Sequence, residues 1–237
     1  MIELFSEIAE VVVLLVLFST LLIGSYSDIK KREVDRILFL PLMVLALLVN
    51  VLLFKLYAIS LFSSVLFLCL FFSYNTKLYA LITASTIVLG LVAIFIFEPS
   101  QMITWSLESL FSLLVLGEIL FGVGDIKAIV SVIFSTIFLP FNLLRDSVLI
   151  PFSFVFTINL GLVSVAAMFW GFYSLYKLSG TIGMRASAEK IKDINPVIFH
   201  TFEYRENKYI RYNIPFIEFI LFATIITFIG VKFQVPF

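Results

Sequence analysis

The sequence predicts an all-α polytopic membrane protein, a helical bundle of about eight transmembrane helices (six to eight by run length) with a small cytoplasmic segment. Three observations carry this. Of the 237 residues, 62% are hydrophobic and only 14% charged, with a mean hydropathy of +1.14, well outside the range of soluble domains. Apolar runs recur along the chain, and the polar segments between them are too few to cover one soluble core. The runs are continuously apolar rather than alternating with period two, which argues against a membrane barrel and leaves helices.

A hydrocarbon core about 30 Å thick takes roughly 20 helical residues. Eight runs approach that length: 7–27, 36–55, 57–73, 78–97, 103–121, 125–140, 151–176 and 214–233. The first follows Glu3, Glu7 and Glu10 rather than a basic region, and no small-residue cleavage site ends it, so it reads as a retained helix and not a secretory signal. The third and sixth are short for a span, so one short segment is expected inside the protein or at the interface. Cys69, the single cysteine, lies in the third run, which rules out a disulfide framework and a Cys-rich zinc site. Between the seventh and eighth runs, 186–193 reads as a short charged helix and 197–210 as a hairpin turning through Arg205-Glu206-Asn207-Lys208. His200 lies there with no second ligand nearby and reads as solvated. The organisation is therefore 1–178 as the bundle, 179–213 as a cytoplasmic connector over its mouth, and 214–237 as the last helix and C-terminus.

Basic residues orient such bundles. Lys30, Lys31, Arg32 and Arg36 follow the first run, and 177–211 holds seven basic against four acidic residues. Both segments are expected on the cytoplasmic side, and eight spans place six crossings between them, which satisfies the parity. The same count puts four crossings between Asp28 and Gly122, so Asp28 and Asp125 fall on one face.

Ionisable residues at the edge of a membrane span are costly and are candidates for function. Two carboxyls brought together share a proton, one serving as general base on water and the other as general acid on a scissile carbonyl. Gly122 and Gly124 flank Val123 before Asp125, and their missing side chains would let an extended peptide backbone approach. Plainer readings stand beside this one. Asp125 follows a glycine and precedes an apolar run, as a helix N-cap does, and Asp28, beside Lys30, Lys31 and Arg32, would serve as a solvated ion-pair partner.

The string Gly122-Val123-Gly124-Asp125-Ile126-Lys127, together with Ser27-Asp28-Ile29-Lys30-Lys31-Arg32-Glu33-Val34 after the first run, resembles the Gly-x-Gly-Asp aspartic membrane peptidases of the type IV prepilin and archaeal preflagellin type. The likeness covers two short segments and the multi-span layout. It implies Asp28 and Asp125 as the catalytic pair, with Arg32 and Lys127 at the family's accompanying basic positions. The implied substrate is a prepilin- or preflagellin-like precursor, with a short basic leader and an apolar helix that stays among the membrane lipids. Glu33 and Asp35 are candidates for receiving that leader. A single cysteine and little polar mass before the second run depart from bacterial members that also methylate, so peptidase activity without methyltransferase is expected. No cofactor, metal or nucleic-acid partner is implied. Glu118 and Glu218 are further acids in apolar runs, left outside the catalytic set. A presenilin-like protease shares the aspartate pair but carries a Pro-Ala-Leu string that this sequence lacks; a non-enzymatic transporter or assembly scaffold using the carboxylates for proton or cation movement is the other alternative.

Overall fold

The computed structural model describes residues 2–31, 34–35, 37–73, 75–117, 123–144, 148–179, 186–187, 199–204, 207–212, 214 and 216–233. Among these lie eight α-helices: α1 (Ile2–Lys31), α2 (Leu40–Leu52), α3 (Tyr57–Cys69), α4 (Thr76–Phe97), α5 (Met102–Gly117), α6 (Val123–Ser135), α7 (Phe152–Ser179) and α8 (Phe216–Phe233). Three of them, over Ser6–Lys31, Thr76–Phe97 and Phe152–Lys177, are long and apolar enough to cross a membrane. The protein is a helical membrane protein, and its surface says the same: on α4, Leu81, Val88, Leu89, Phe95, Ile96 and Phe97 are all more than 60% exposed, a face that only hydrocarbon would solvate.

The sixth run is the short internal segment. From Ile126 to Ile137 every side chain is buried, and α6 touches α1, α2, α3, α5, α7 and α8. It stops at Ser135, short of the expected 140, where the chain tightens into turns, Thr136 N–H donating to the Ile133 carbonyl at 3.3 Å and Leu139 N–H to the Thr136 carbonyl at 3.0 Å; the Thr136 hydroxyl also donates to the Val132 carbonyl at 2.6 Å. The chain then enters an antiparallel hairpin, β1 (Pro140–Leu144) with β2 (Val148–Pro151).

Side-chain contacts fix the helix directions. Gly24 near the end of α1 lies against Leu38 and Phe39 at the start of α2. The Asn50 amide near the end of α2 donates to the Phe134 carbonyl near the end of α6 at 3.2 Å, and Phe54 stacks on Phe138 just beyond. α2 and α6 therefore run the same way, so the end of α1 and the starts of α2 and α6 share one end of the bundle. Elsewhere the helices are joined by buried polar pairs, Asn159 to Thr227 at 2.9 Å and Thr104 with Ser153 at 3.1 Å, as expected where apolar contact alone gives no preference for protein over lipid.

Between α7 and α8, β4 (Phe199–Tyr204) and β5 (Asn207–Tyr212) pair antiparallel, within one residue or two of the expected hairpin. The expected helix over 186–193 is corrected at its start: Ala186 and Ser187 form a short strand, β3, pairing with Ile210 and Tyr209 on the other side of β5. An open strand edge offers unpaired N–H and C=O groups, and this tertiary pairing outweighs a local helical pattern. Residues 188–193 lie outside the described residues.

Trp105 of α5 packs flat against α4 where Gly90 leaves room; a Cβ on Gly90 would stand 2.3 Å from Cζ2 of the ring, and the ring, 1% exposed, has nowhere to retreat. Gly90→Ala is expected to destabilise the bundle by about 1–3 kcal/mol, whereas Gly161→Ala, with open space beside it, should be neutral or stabilising by up to about 1 kcal/mol. Unfolding of the two variants in detergent, monitored by circular dichroism, checks the contrast.

Candidate active site

Asp28 occupies the last turns of α1 and is 7% exposed. Its position is not that of a solvated ion-pair partner. Oδ2 accepts a hydrogen bond from the backbone N–H of Ile217 at 3.0 Å, at the second residue of α8, whose first N–H groups have no partner within the helix. A carboxylate also suits the partial positive charge of a helix start. Gly24, one turn earlier, permits this approach: a Cβ there would meet Ile217 Cγ2 at 3.2 Å. Phe18 on α1 and Phe228 on α8 meet edge to face with centroids 5.8 Å apart, so the two helices stay together well beyond the cap.

Asp125 is the third residue of α6 and half-buried. It lies inside the first turn, one or more positions past an N-cap, where acidic side chains favour the helix start. Since α1 ends where α6 begins and the two helices touch, Asp28 and Asp125 belong to the same end of one helix pair. Gly124, beside Asp125, has a flank that no described residue fills: a Cβ added there would meet nothing within 4 Å. Packing therefore does not demand a glycine at this position.

Lys127 is 3% exposed and holds its Nζ 3.6 Å from the centroid of the Phe71 ring, in the turn after α3. The ring face takes over part of the ammonium's hydration and couples α6 to α3. Asp35 is exposed, and its Oδ1 accepts from the Ile37 N–H at 3.0 Å, shaping the turn that leads into α2. Glu218 is half-buried in the first turn of α8, next to the residue that Asp28 caps. Gly122, Arg32, Glu33 and Glu118 lie outside the described residues.

Two acids escaped the sequence reading. Glu98, at the end of α4, accepts from the N–H groups of Ala58 and Ile59 at 2.8 and 2.9 Å, capping α3 as Asp28 caps α8. Glu108 of α5 is fully buried. The signal for Glu108 was present, an acid inside an apolar run; for Glu98 there was none, since its partners stand 39 and 40 residues away.

Among the described residues, no group of three or more His, Cys, Asp or Glu is placed to hold a metal ion. The chemistry on offer at this end is that of two carboxyl groups on touching helices beside an open glycine flank, suited to acid–base work on a bound chain. No protein-family model, curated protein or solved structure matches the chain.

The capping role of Asp28 is testable by stability. Asp28→Ala should cost about 0.5–2 kcal/mol by uncapping α8, while Asp28→Asn, which keeps an accepting oxygen, should lose much less. Thermal unfolding of both in detergent distinguishes a capping carboxylate from one with no structural duty.

Proposed function

We propose that the protein is a membrane aspartic endopeptidase that removes short basic leaders from prepilin- or preflagellin-like precursors at the cytoplasmic face of the cell membrane. What supports this reading most is that α1, which ends just after Asp28, touches α6, which begins just before Asp125, beside a Gly124 flank that no described residue fills. The resemblance of the two motif segments to Gly-x-Gly-Asp peptidases supports the same assignment.

The cytoplasmic placement rests on charge. Lys30, Lys31, Lys77 and Lys177 lie at helix ends on the Asp28 side, while Lys55 and Lys232 are at the opposite end, the bias expected for an inward-facing surface. In the proposed reaction the precursor's apolar helix remains in lipid and its leader reaches the aspartates. One carboxylate takes a proton from water as the oxygen attacks the scissile carbonyl, while the other, protonated, donates to the carbonyl oxygen; as the tetrahedral intermediate collapses, the second takes that proton back and the first passes the proton from water to the departing amine. The substrate backbone runs along the Gly124 flank.

Cleavage of a pilin-like or flagellin-like precursor by detergent-purified protein, with the product N-terminus sequenced, tests the proposal. Wild type should cut at the boundary between leader and apolar run. Asp28→Asn, although it preserves the α8 cap, and Asp125→Asn should each lower the rate by at least about a hundredfold, since each deletes an acid–base partner. A cut within the apolar helix would instead support a presenilin-like protease, and unimpaired cleavage by both variants would remove the dyad. Gly124→Ala should fold as well as wild type yet cleave at least about tenfold more slowly, because the new methyl group enters the substrate's path.

A further inference from the structure

The centre of the bundle holds a second polar site, remote in sequence from both aspartates. Glu108 of α5 is 0% exposed, as are Ser60 and Ser63 of α3 and Ser112 of α5. Ser112 lies one turn beyond Glu108, and Ser60 one turn before Ser63, so each pair shares a helix face, and α3 packs against α5. The Ser63 hydroxyl donates to Glu108 Oε2. The remaining oxygen, Glu108 Oε1, has no hydrogen-bond partner among the described residues, and neither do the hydroxyls of Ser60 and Ser112.

Ser109 on α5, Thr83 on α4 and Ser131 on α6 also hold buried hydroxyls without a partner among the described residues; what marks the group around Ser60 and Ser112 is its carboxylate. Hydroxyls in apolar helices satisfy themselves by donating to the carbonyl four residues back, and this chain does so elsewhere: Ser64 to Ser60 at 2.7 Å and Ser106 to Met102 at 2.8 Å on the same two helices, Thr86 to Ile82 on α4 and Ser164 to Leu160 on α7. Ser60, Ser63 and Ser112 do not take that bond. Their oxygens are held for another partner, at the place where a buried carboxylate also has one oxygen to spare.

The charge of that partner follows from the neighbours. On α4, Tyr79 donates its hydroxyl to the Ser112 carbonyl at 2.7 Å and Lys77 lies in the first turn; on α6, the Lys127 ammonium lies over Phe71 and the half-buried Asp125 lies in the first turn; Tyr57 and Cys69 at the two ends of α3 and Tyr173, Tyr176 and Lys177 near the end of α7 complete the titratable groups among the described residues on the helices packed against α5. Ser63 is the one hydrogen-bond partner of Glu108 among them. A lone carboxyl in an apolar interior either keeps its proton or, once ionised, needs one compensating positive charge; a divalent ion would leave the site charged again.

We propose that Glu108, with the hydroxyls of Ser60, Ser63 and Ser112, forms a buried binding site for one alkali cation. Carboxylate and hydroxyl oxygens are hard ligands suited to such an ion, and the indole N–H of Trp105, one turn before Glu108 and without a partner among the described residues, suits a water in its shell. The site is independent of the aspartate pair and of the peptidase reading.

The test is thermal unfolding of the full chain in detergent at fixed pH, with NaCl or KCl replacing choline chloride at constant ionic strength. Wild type should gain on the order of 5 °C in Tm, saturably. Glu108→Gln should abolish the gain, and Ser63→Ala or Ser112→Ala should move its midpoint about tenfold higher in salt, the loss of one ligand. Equal Tm in choline and alkali salts, or the same response in wild type and Glu108→Gln, overturns the site. So does a response of wild type to pH alone that Glu108→Gln removes, which would make the occupant a proton. If Glu108→Gln fails to fold, the serine variants decide, and unchanged midpoints in both overturn the proposal.

Discussion

The enclosure of α6 is the constraint on which the rest of the bundle depends. A helix with every side chain from Ile126 to Ile137 buried has no lipid-facing side and no water-facing side, so all of its shape must be matched by protein. Six helices supply that match. The polar contacts it makes are correspondingly specific: the Asn50 amide on the Phe134 carbonyl, Phe71 under the Lys127 ammonium. Asp125 is carried into the site by this helix and inherits its rigidity, while the helices at the periphery, α4 above all, need only be apolar.

A second regularity is the use of carboxylates to finish helices that belong to other parts of the chain. Asp28 serves α8 and Glu98 serves α3. Helix starts near hydrocarbon have little water to satisfy their free N–H groups, so an acid delivered from a neighbouring helix both satisfies donors and fixes which helices are adjacent. In Asp28 this structural duty coincides with the position assigned to chemistry. One oxygen held by Ile217 leaves the orientation of the carboxyl group determined before any substrate arrives, which is the preorganisation that acid–base catalysis requires.

Much of this was legible in the sequence because hydropathy is a local sum. The eight runs became eight helices, and the shortness of 57–73 and 125–140 led to one short segment being expected inside the protein or at the interface, without saying which run it would be. Boundaries moved where local hydrogen bonding overruled the average, as the tight turns at Thr136 and Leu139 do at the end of α6. What the sequence could not disclose were facts about pairs. Asp28 sits beside three basic residues in the chain yet makes its hydrogen bond to Ile217, 189 positions away; Ala186 and Ser187 carry a helical pattern yet add to a strand edge. Glu108 was different: the rule that an acid in an apolar run is significant applies to it as fully as to Glu118 and Glu218, and its full burial beside hydroxyls that lack partners among the described residues separates it from the half-buried Glu218.

The brevity of α6 also bears on how the protein is made. Thirteen residues rise only about 20 Å, roughly two-thirds of a hydrocarbon core, so during synthesis this segment has no stable resting place alone in the bilayer. Its wall is incomplete until α7 and α8 have emerged, and the α1 carboxylate has no helix start to hold until α8 is present. Insertion therefore cannot finish in chain order: the N-terminal spans must wait, with α6 lodged among them or still at the translocation machinery, for the last helix to arrive and close the ring. A ribosome stalled before residue 216 would leave an assembly open at the very end where both aspartates belong.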